Sequence, residues 1–180
     1  MKPLRNKIIL ITFLFVFLSG CKKNYLISEK QSIFFEFEYI NYAWGYQHHG
    51  FLIDKDGNVL TYNNPESWNF PDNDFSLTEN QVAENIASCV NSGNKISKEE
   101  LNKYSNYIRN ISSTKVTALK NVSADAGTTK YICYQFSEST GIYKGYIIKQ
   151  DGDFTCENLN FYSKKVASWM KDIYNTVSRK

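Results

Sequence analysis

Proline is scarce, at three in 180 residues, and two of the three, Pro65 and Pro71, fall in one short stretch. The rest of the chain is therefore free to build uninterrupted ladders and helices. Histidine is scarcer still. His48 and His49 are the only two, so any imidazole chemistry depends on a single dipeptide. No Gly-rich phosphate loop, Cys-x-x-Cys pair, nucleophile elbow or metalloprotease signature occurs. These absences argue against nucleotide, zinc and redox functions, and no metal or cofactor is expected. Beyond residue 18, no run is apolar enough over the length that a membrane-spanning helix needs, about 20 residues.

The N-terminus has a distinct layout. Lys2, Arg5 and Lys7 precede an apolar stretch from Ile8 to Leu18, closed by Leu18-Ser19-Gly20-Cys21. A basic segment, a short apolar segment and small residues at the end make a secretory signal. A cysteine directly after the small residues resembles the lipobox of bacterial lipoproteins. That resemblance implies removal of residues 1–20, lipidation of Cys21, and a tether over 21–31 joining the lipid to one domain at 32–180. The Cys-Lys-Lys-Asn opening and the Tyr-, Asn- and Lys-rich composition resemble small lipoproteins of Bacteroidetes-like bacteria. This implies the cell envelope, at the periplasmic face of the outer membrane, with the N-terminal lipid as the membrane contact.

Cleavage also changes the charge balance. It leaves 18 of the 21 basic residues against 18 acidic ones, so the remaining chain is formally neutral. A neutral body argues against nucleic acid, whose affinity rests on neutralising phosphates. With Cys21 lipidated, Cys89, Cys133 and Cys156 remain. Three is an odd number, and free cysteines are commonly small buried residues.

Ser32 to Tyr39 alternates with period 2, placing Phe35, Phe37 and Tyr39 on one face and Glu36 and Glu38 on the other. Gly50–Tyr62 and Gly145–Cys156 read as hairpins turning at Asp56-Gly57 and Asp151-Gly152. Thr78 with Gln81 and Ser97 with Glu100 are capping boxes. The first leads a stripe of Val82, Ile86, Cys89 and Val90; the second leads Leu101, Tyr104, Ile108 and Ile111. A last helix carries Val166, Trp169, Met170, Ile173 and Val177. Strands in meanders followed by helices give an α+β fold, an antiparallel sheet with helices packed on one face.

The hairpins are also alike in sequence. Tyr39-Ile40-Asn41-Tyr42-Ala43-Trp44 aligns with Tyr131-Ile132-Cys133-Tyr134-Gln135-Phe136, and GFLIDKDGN at 50–58 aligns with GYIIKQDGD at 145–153. The pattern suggests half-repeats at about 32–92 and 128–180, joined by a helix at about 97–111. Such tandem units resemble small periplasmic proteins that bind other proteins, including β-lactamase-inhibitor-like folds.

Trp44, Tyr46, Trp68 and Phe70 fall in or beside loops and, with His48 and His49, are the candidate binding residues. The stretch Pro65 to Asp72 alternates aromatic and polar residues. Such a loop either presents rings to a ligand or folds back to pin itself to the body. A catalytic use of His48 or His49 needs Asp54 as orienter and Cys89 or a serine as nucleophile. Asp54-x-Asp56-Gly57-Asn58 lacks the outer ligands of a calcium loop and is a turn. The sequence favours a non-enzymatic binding module for protein, peptide or glycan. An envelope hydrolase or a purely structural envelope protein is the alternative.

Overall fold

The computed structural model describes residues 30–179, so the signal segment, Cys21 and most of the tether lie outside the described residues. The strands are β1 (Ile33–Asn41), β2 (Gln47–Asp54), β3 (Asn58–Asn63), β4 (Ser76–Thr78), β5 (Val90–Lys95), β6 (Lys120–Asn121), β7 (Thr128–Ser137), β8 (Ile142–Gly152) and β9 (Phe154–Glu157). The helices are α1 (Glu79–Ala87), α2 (Lys98–Ser112) and α3 (Ser163–Val177). All nine strands join one antiparallel sheet in the order β5-β3-β2-β1-β7-β8-β9-β6, with β4 paired to the first half of β8 and β9 to its second half. The fold is α+β.

Both expected hairpins form. Gly57 and Gly152 hold φ of 81° and 116° at their turns, where a side chain would be strained. Asp54 braces the first turn by accepting from the backbone N–H groups of Asp56 (2.9 Å) and Asn58 (2.7 Å).

The first capping box is complete: Gln81 N–H donates to Thr78 Oγ1 and Thr78 N–H donates to Gln81 Oε1. The second is half made. Ser97 Oγ accepts from Glu100 N–H, but the Glu100 carboxylate accepts from the indole N–H of Trp169 on α3 at 2.9 Å. That bond ties α2 to α3 across the face they share. The stripe extended to Cys89 and Val90 runs past the helix, because α1 stops at Ala87 and Val90 opens β5 with its side chain exposed.

Two cores sandwich the sheet. Phe35, Phe37, Phe51 and Cys133 face α2 and α3, packing on Ile108, Val166, Trp169 and Met170. Ile33, Leu52, Ile132 and Tyr134 face the other way, toward Val82 of α1 and Trp68 of the 64–75 strap. Only α2 and α3 share one face. The capping box at Thr78 follows directly on β4, which is hydrogen-bonded to β8, and α1 therefore turns onto the opposite side. A register shift between Ile33 and Phe35 is what lets Ile33 belong to one core and Phe34 and Phe35 to the other.

The domain begins earlier than the tether boundary implied. Gln31 is buried, and its side-chain amide donates to the carbonyls of Ile33 and Tyr134, both at 2.9 Å. The β1–β2–β3 and β7–β8–β9 meanders do flank a common β1–β7 seam. The aligned residues do not occupy matching positions, however. Gly50 faces Glu38, whereas Lys130, which the alignment equates with Glu38, faces Gln150 rather than Gly145. The residue-level duplication is not confirmed.

Candidate functional site

β1 and β2 end in the tip Tyr42-Ala43-Trp44-Gly45-Tyr46, shaped by an Asn41 side chain that accepts from Ala43 N–H at 2.8 Å. Gly45 turns the tip at a φ of 93°. Tyr42, Trp44 and Tyr46 remain 69%, 77% and 46% exposed, and the Tyr42 and Tyr46 rings lie 5.5 Å apart. Rings of this size are usually largely buried. From Tyr46 the aromatic surface continues inward to His48 (6.1 Å), which also meets Trp68 (5.4 Å) and Phe70 (5.2 Å).

The strap carrying those last two rings answers the question left by its sequence. Trp68 folds back and lies on Tyr62 at 4.1 Å, joining the core. Phe70, 43% exposed, stays at the surface beside the tip. Asn69 latches the strap to α1: its backbone N–H donates to Asn85 Oδ1 at 2.8 Å, and its side-chain amide donates to Glu84 at 2.8 Å. The far end of the strap is seated by Phe75, whose ring occupies the space above Gly145. A Cβ there would come within 2.5 Å of that ring.

Beneath the strap lies a cluster of charged and polar groups that the sequence reading did not assemble. Glu36 and Glu38 do occupy the face opposite Phe35 and Phe37, but α1 and the strap close that face, leaving them only 4% and 3% exposed. Glu38 accepts from Lys130 Nζ at 2.6 Å, and its other oxygen meets His48 Nε2 at 3.2 Å. Burial works against its charge, yet the His48 hydrogen bond and the Lys130 ammonium outweigh burial and hold its carboxyl below the usual value. Glu36 receives hydrogen bonds from the hydroxyls of Tyr62 and Tyr134. Burial, then the neighbouring Glu38 charge, raises the Glu36 carboxyl to about 7, against the partial relief those hydroxyls and Lys130 provide. One strand thus holds two carboxylates with divergent proton affinities. The same burial drives the Tyr62 and Tyr134 hydroxyls well above their ordinary value, so both remain hydrogen-bond donors at neutral pH.

Tyr62 reaches Glu36 because β2 has no side chain at Gly50. A Cβ at that position would sit 1.9 Å from the Phe37 carbonyl oxygen and 2.6 Å from the Tyr62 hydroxyl. His48 completes the cluster with its ring fully buried. When Nε2–H donates to Glu38, Nδ1 is the bare nitrogen, and no described group hydrogen-bonds to it.

The remaining candidates separate. His49 points to the opposite face, where Nε2 meets the Tyr174 hydroxyl at 3.2 Å and the ring packs on Tyr39. Burial, then His48, lowers its proton affinity. Asp54 stands at the far end of β2 from His48, about 20 Å away for six residues of extended strand, and is occupied by its turn. Glu38 takes the place beside the imidazole instead. Cys89 donates to the Asn85 carbonyl, and burial pushes its thiol up to about 12, leaving it a thiol rather than a nucleophilic thiolate. Asp54 and Cys89 are therefore not joined to His48 as orienter and nucleophile.

Among the described residues, all three cysteines are free, no group of three or more His, Cys, Asp or Glu could hold a metal ion, and no helix is long and apolar enough to cross a membrane. A groove of about 800 Å³ opens between α2 and α3 over Tyr104, Tyr107 and Trp169, on the face away from the strap.

No family model, curated protein or solved structure matches this chain.

Proposed function

We propose that this chain is a lipid-tethered, non-enzymatic binding module of the bacterial envelope, and that it engages its ligand through Tyr42, Trp44, Tyr46 and Phe70. The observation that carries the reading is the exposure of three large rings on one hairpin tip, with a fourth beside them. An indole that is 77% exposed contributes little to its own domain, while rigid aromatic groups dominate binding energy when a partner covers them. The site is supported from below, since the β1–β2 ladder, the Asn41 bond and the latched strap hold the rings before any ligand arrives. Pre-organisation of this kind lowers the entropic cost of association.

The test compares the full chain with a Tyr42→Ala/Trp44→Ala variant for retention on envelope material separated into glycan and protein fractions. Truncating a central ring costs about 2 kcal/mol, or roughly thirtyfold in affinity. Loss of retention at unchanged stability supports the reading, and equal retention of both proteins removes it. The tether is tested separately: labelled palmitate should enter the wild-type chain and not a Cys21→Ser variant.

A further inference from the structure

We infer that the ring patch takes an uncharged, hydroxyl-rich glycan. This rests on the binding reading above and names the class of ligand.

The first argument is the charge around the rings. From Tyr39 to Phe70 the only Asp, Glu, Lys or Arg residues are Asp54, Lys55, Asp56 and Glu66. The first three belong to the β2–β3 turn, at the opposite end of the strands from the tip. Glu66 lies on the strap. The carboxylates closest along β1, Glu36 and Glu38, are buried, and Glu38 is neutralised by Lys130. Asp125 meets the tip through its carbonyl, which accepts from Asn41 on the side of Tyr39. A phosphate polymer needs cations to bind, and among the described residues the cation beside the patch, Lys130, is paired with Glu38. A strongly acidic peptide likewise lacks its complement here.

The second argument is the chemistry of the rings themselves. Tyr42 and Tyr46 are exposed and bring hydroxyls to the patch, whereas Gln47 and Asn63 lie with His49 on the other face of the strands. Flat rings that carry uncharged hydroxyls match the two surfaces of a sugar. Its C–H face stacks on a ring, and its hydroxyl rim exchanges hydrogen bonds with groups that donate and accept without charge. A bilayer also accepts Trp and Tyr at its interface. This tip, however, lacks the lysines and arginines that draw a loop onto an anionic lipid surface.

The experiment titrates the full chain, followed by tryptophan fluorescence, with a neutral N-acetylglucosamine oligomer, a neutral glucose oligomer and phosphatidylcholine vesicles. Saturable binding of either oligomer, weakened at least about tenfold by Trp44→Ala and unchanged between about 0.05 and 0.5 M salt, supports the inference. Failure of both oligomers overturns it, as does binding that weakens with salt. Vesicle binding that depends on Trp44, with neither oligomer bound, overturns the glycan class while the ring-patch reading stands.

Discussion

Replacing Glu36 by glutamine removes the one carboxyl, among the described residues, that the fold holds protonated near neutrality, and the effect is calculable. In the folded chain its proton affinity lies at about 7, against 4.5 when exposed. Between those values the folded state keeps a proton that the unfolded state releases, so stability falls as pH rises through the window and then levels off. A displacement of that size corresponds to about 3 kcal/mol. The substituted amide does not titrate, and both neighbouring hydroxyls can accept from its N–H groups or donate to its carbonyl. The stability of Glu36→Gln relative to wild type should therefore improve by about 3 kcal/mol from pH 4.5 to pH 8. Glu38 responds in the opposite sense, because its depressed proton affinity stabilises the fold above the ordinary carboxylate range and that stability is lost at lower pH. It titrates below the Glu36 window, and removing the Glu36 charge only deepens its depression. Urea unfolding followed by tryptophan fluorescence at intervals from pH 4.5 to 8 measures the difference directly. A difference that stays constant to within about 0.5 kcal/mol across that range would refute the account of Glu36 as a buried, protonated acid.

Gly50→Ala should destabilise the domain by about 3 kcal/mol, because the new methyl group meets the Phe37 carbonyl and displaces the Tyr62 hydroxyl from Glu36. Its urea midpoint reports this, and an unchanged midpoint would show that β2 yields easily there. Trp44→Ala should leave stability within about 0.5 kcal/mol of wild type, whereas Trp68→Ala, which removes a ring packed on Tyr62 and His48, should cost about 2 kcal/mol. Thermal melts of the two variants separate the displayed indole from the structural one. Thr78→Ala should cost about 1 kcal/mol by removing the N-cap of α1. Cys133 and Cys156 are buried and their thiols raised by that burial, so a thiol reagent should modify them only after denaturant is added.

The sequence was most readable where the governing signal was local. Asp-Gly pairs set both hairpin turns, Thr78 and Gln81 set the start of α1, and the alternation placed Phe35 to Tyr39 on their correct faces, while the register shift at Ile33–Phe35 reverses Ile33 and Phe34. The outcome for the face holding Glu36 and Glu38 was not local. Two glutamates alternating with phenylalanines look like the wet side of a strand. They become buried only because β1 lies mid-sheet and a strap from residues 64–75 crosses it. Lys130 and Tyr134, nearly a hundred residues away, supply partners that no local pattern announces. The sequence places His48 and His49 ahead of the hairpin that begins at Gly50, whereas in the structure both lie on β2 and so point to opposite faces. That Glu38, rather than Asp54, stands beside His48 follows from strand register, which pairs Ile40 with His48 and so sets Glu38 near it across the ladder. Loop aromatics divided for a similar reason: Trp68 and Phe70 are two residues apart on one strap, and only Trp68 lies over Tyr62.

β1 is both the strand by which the described chain enters the fold and a central strand of the sheet. It is gripped by β2 over Ile33–Asn41 and by β7 over Phe35–Ile40. Tension applied from the N-terminal side along the strand axis loads both hydrogen-bond ladders in shear, where many bonds must fail together, instead of peeling an edge strand one bond at a time. The rings sit at the other end of the same strand. A domain held by its N-terminus while its tip grips a ligand would carry the pull between the two through its mechanically strongest element.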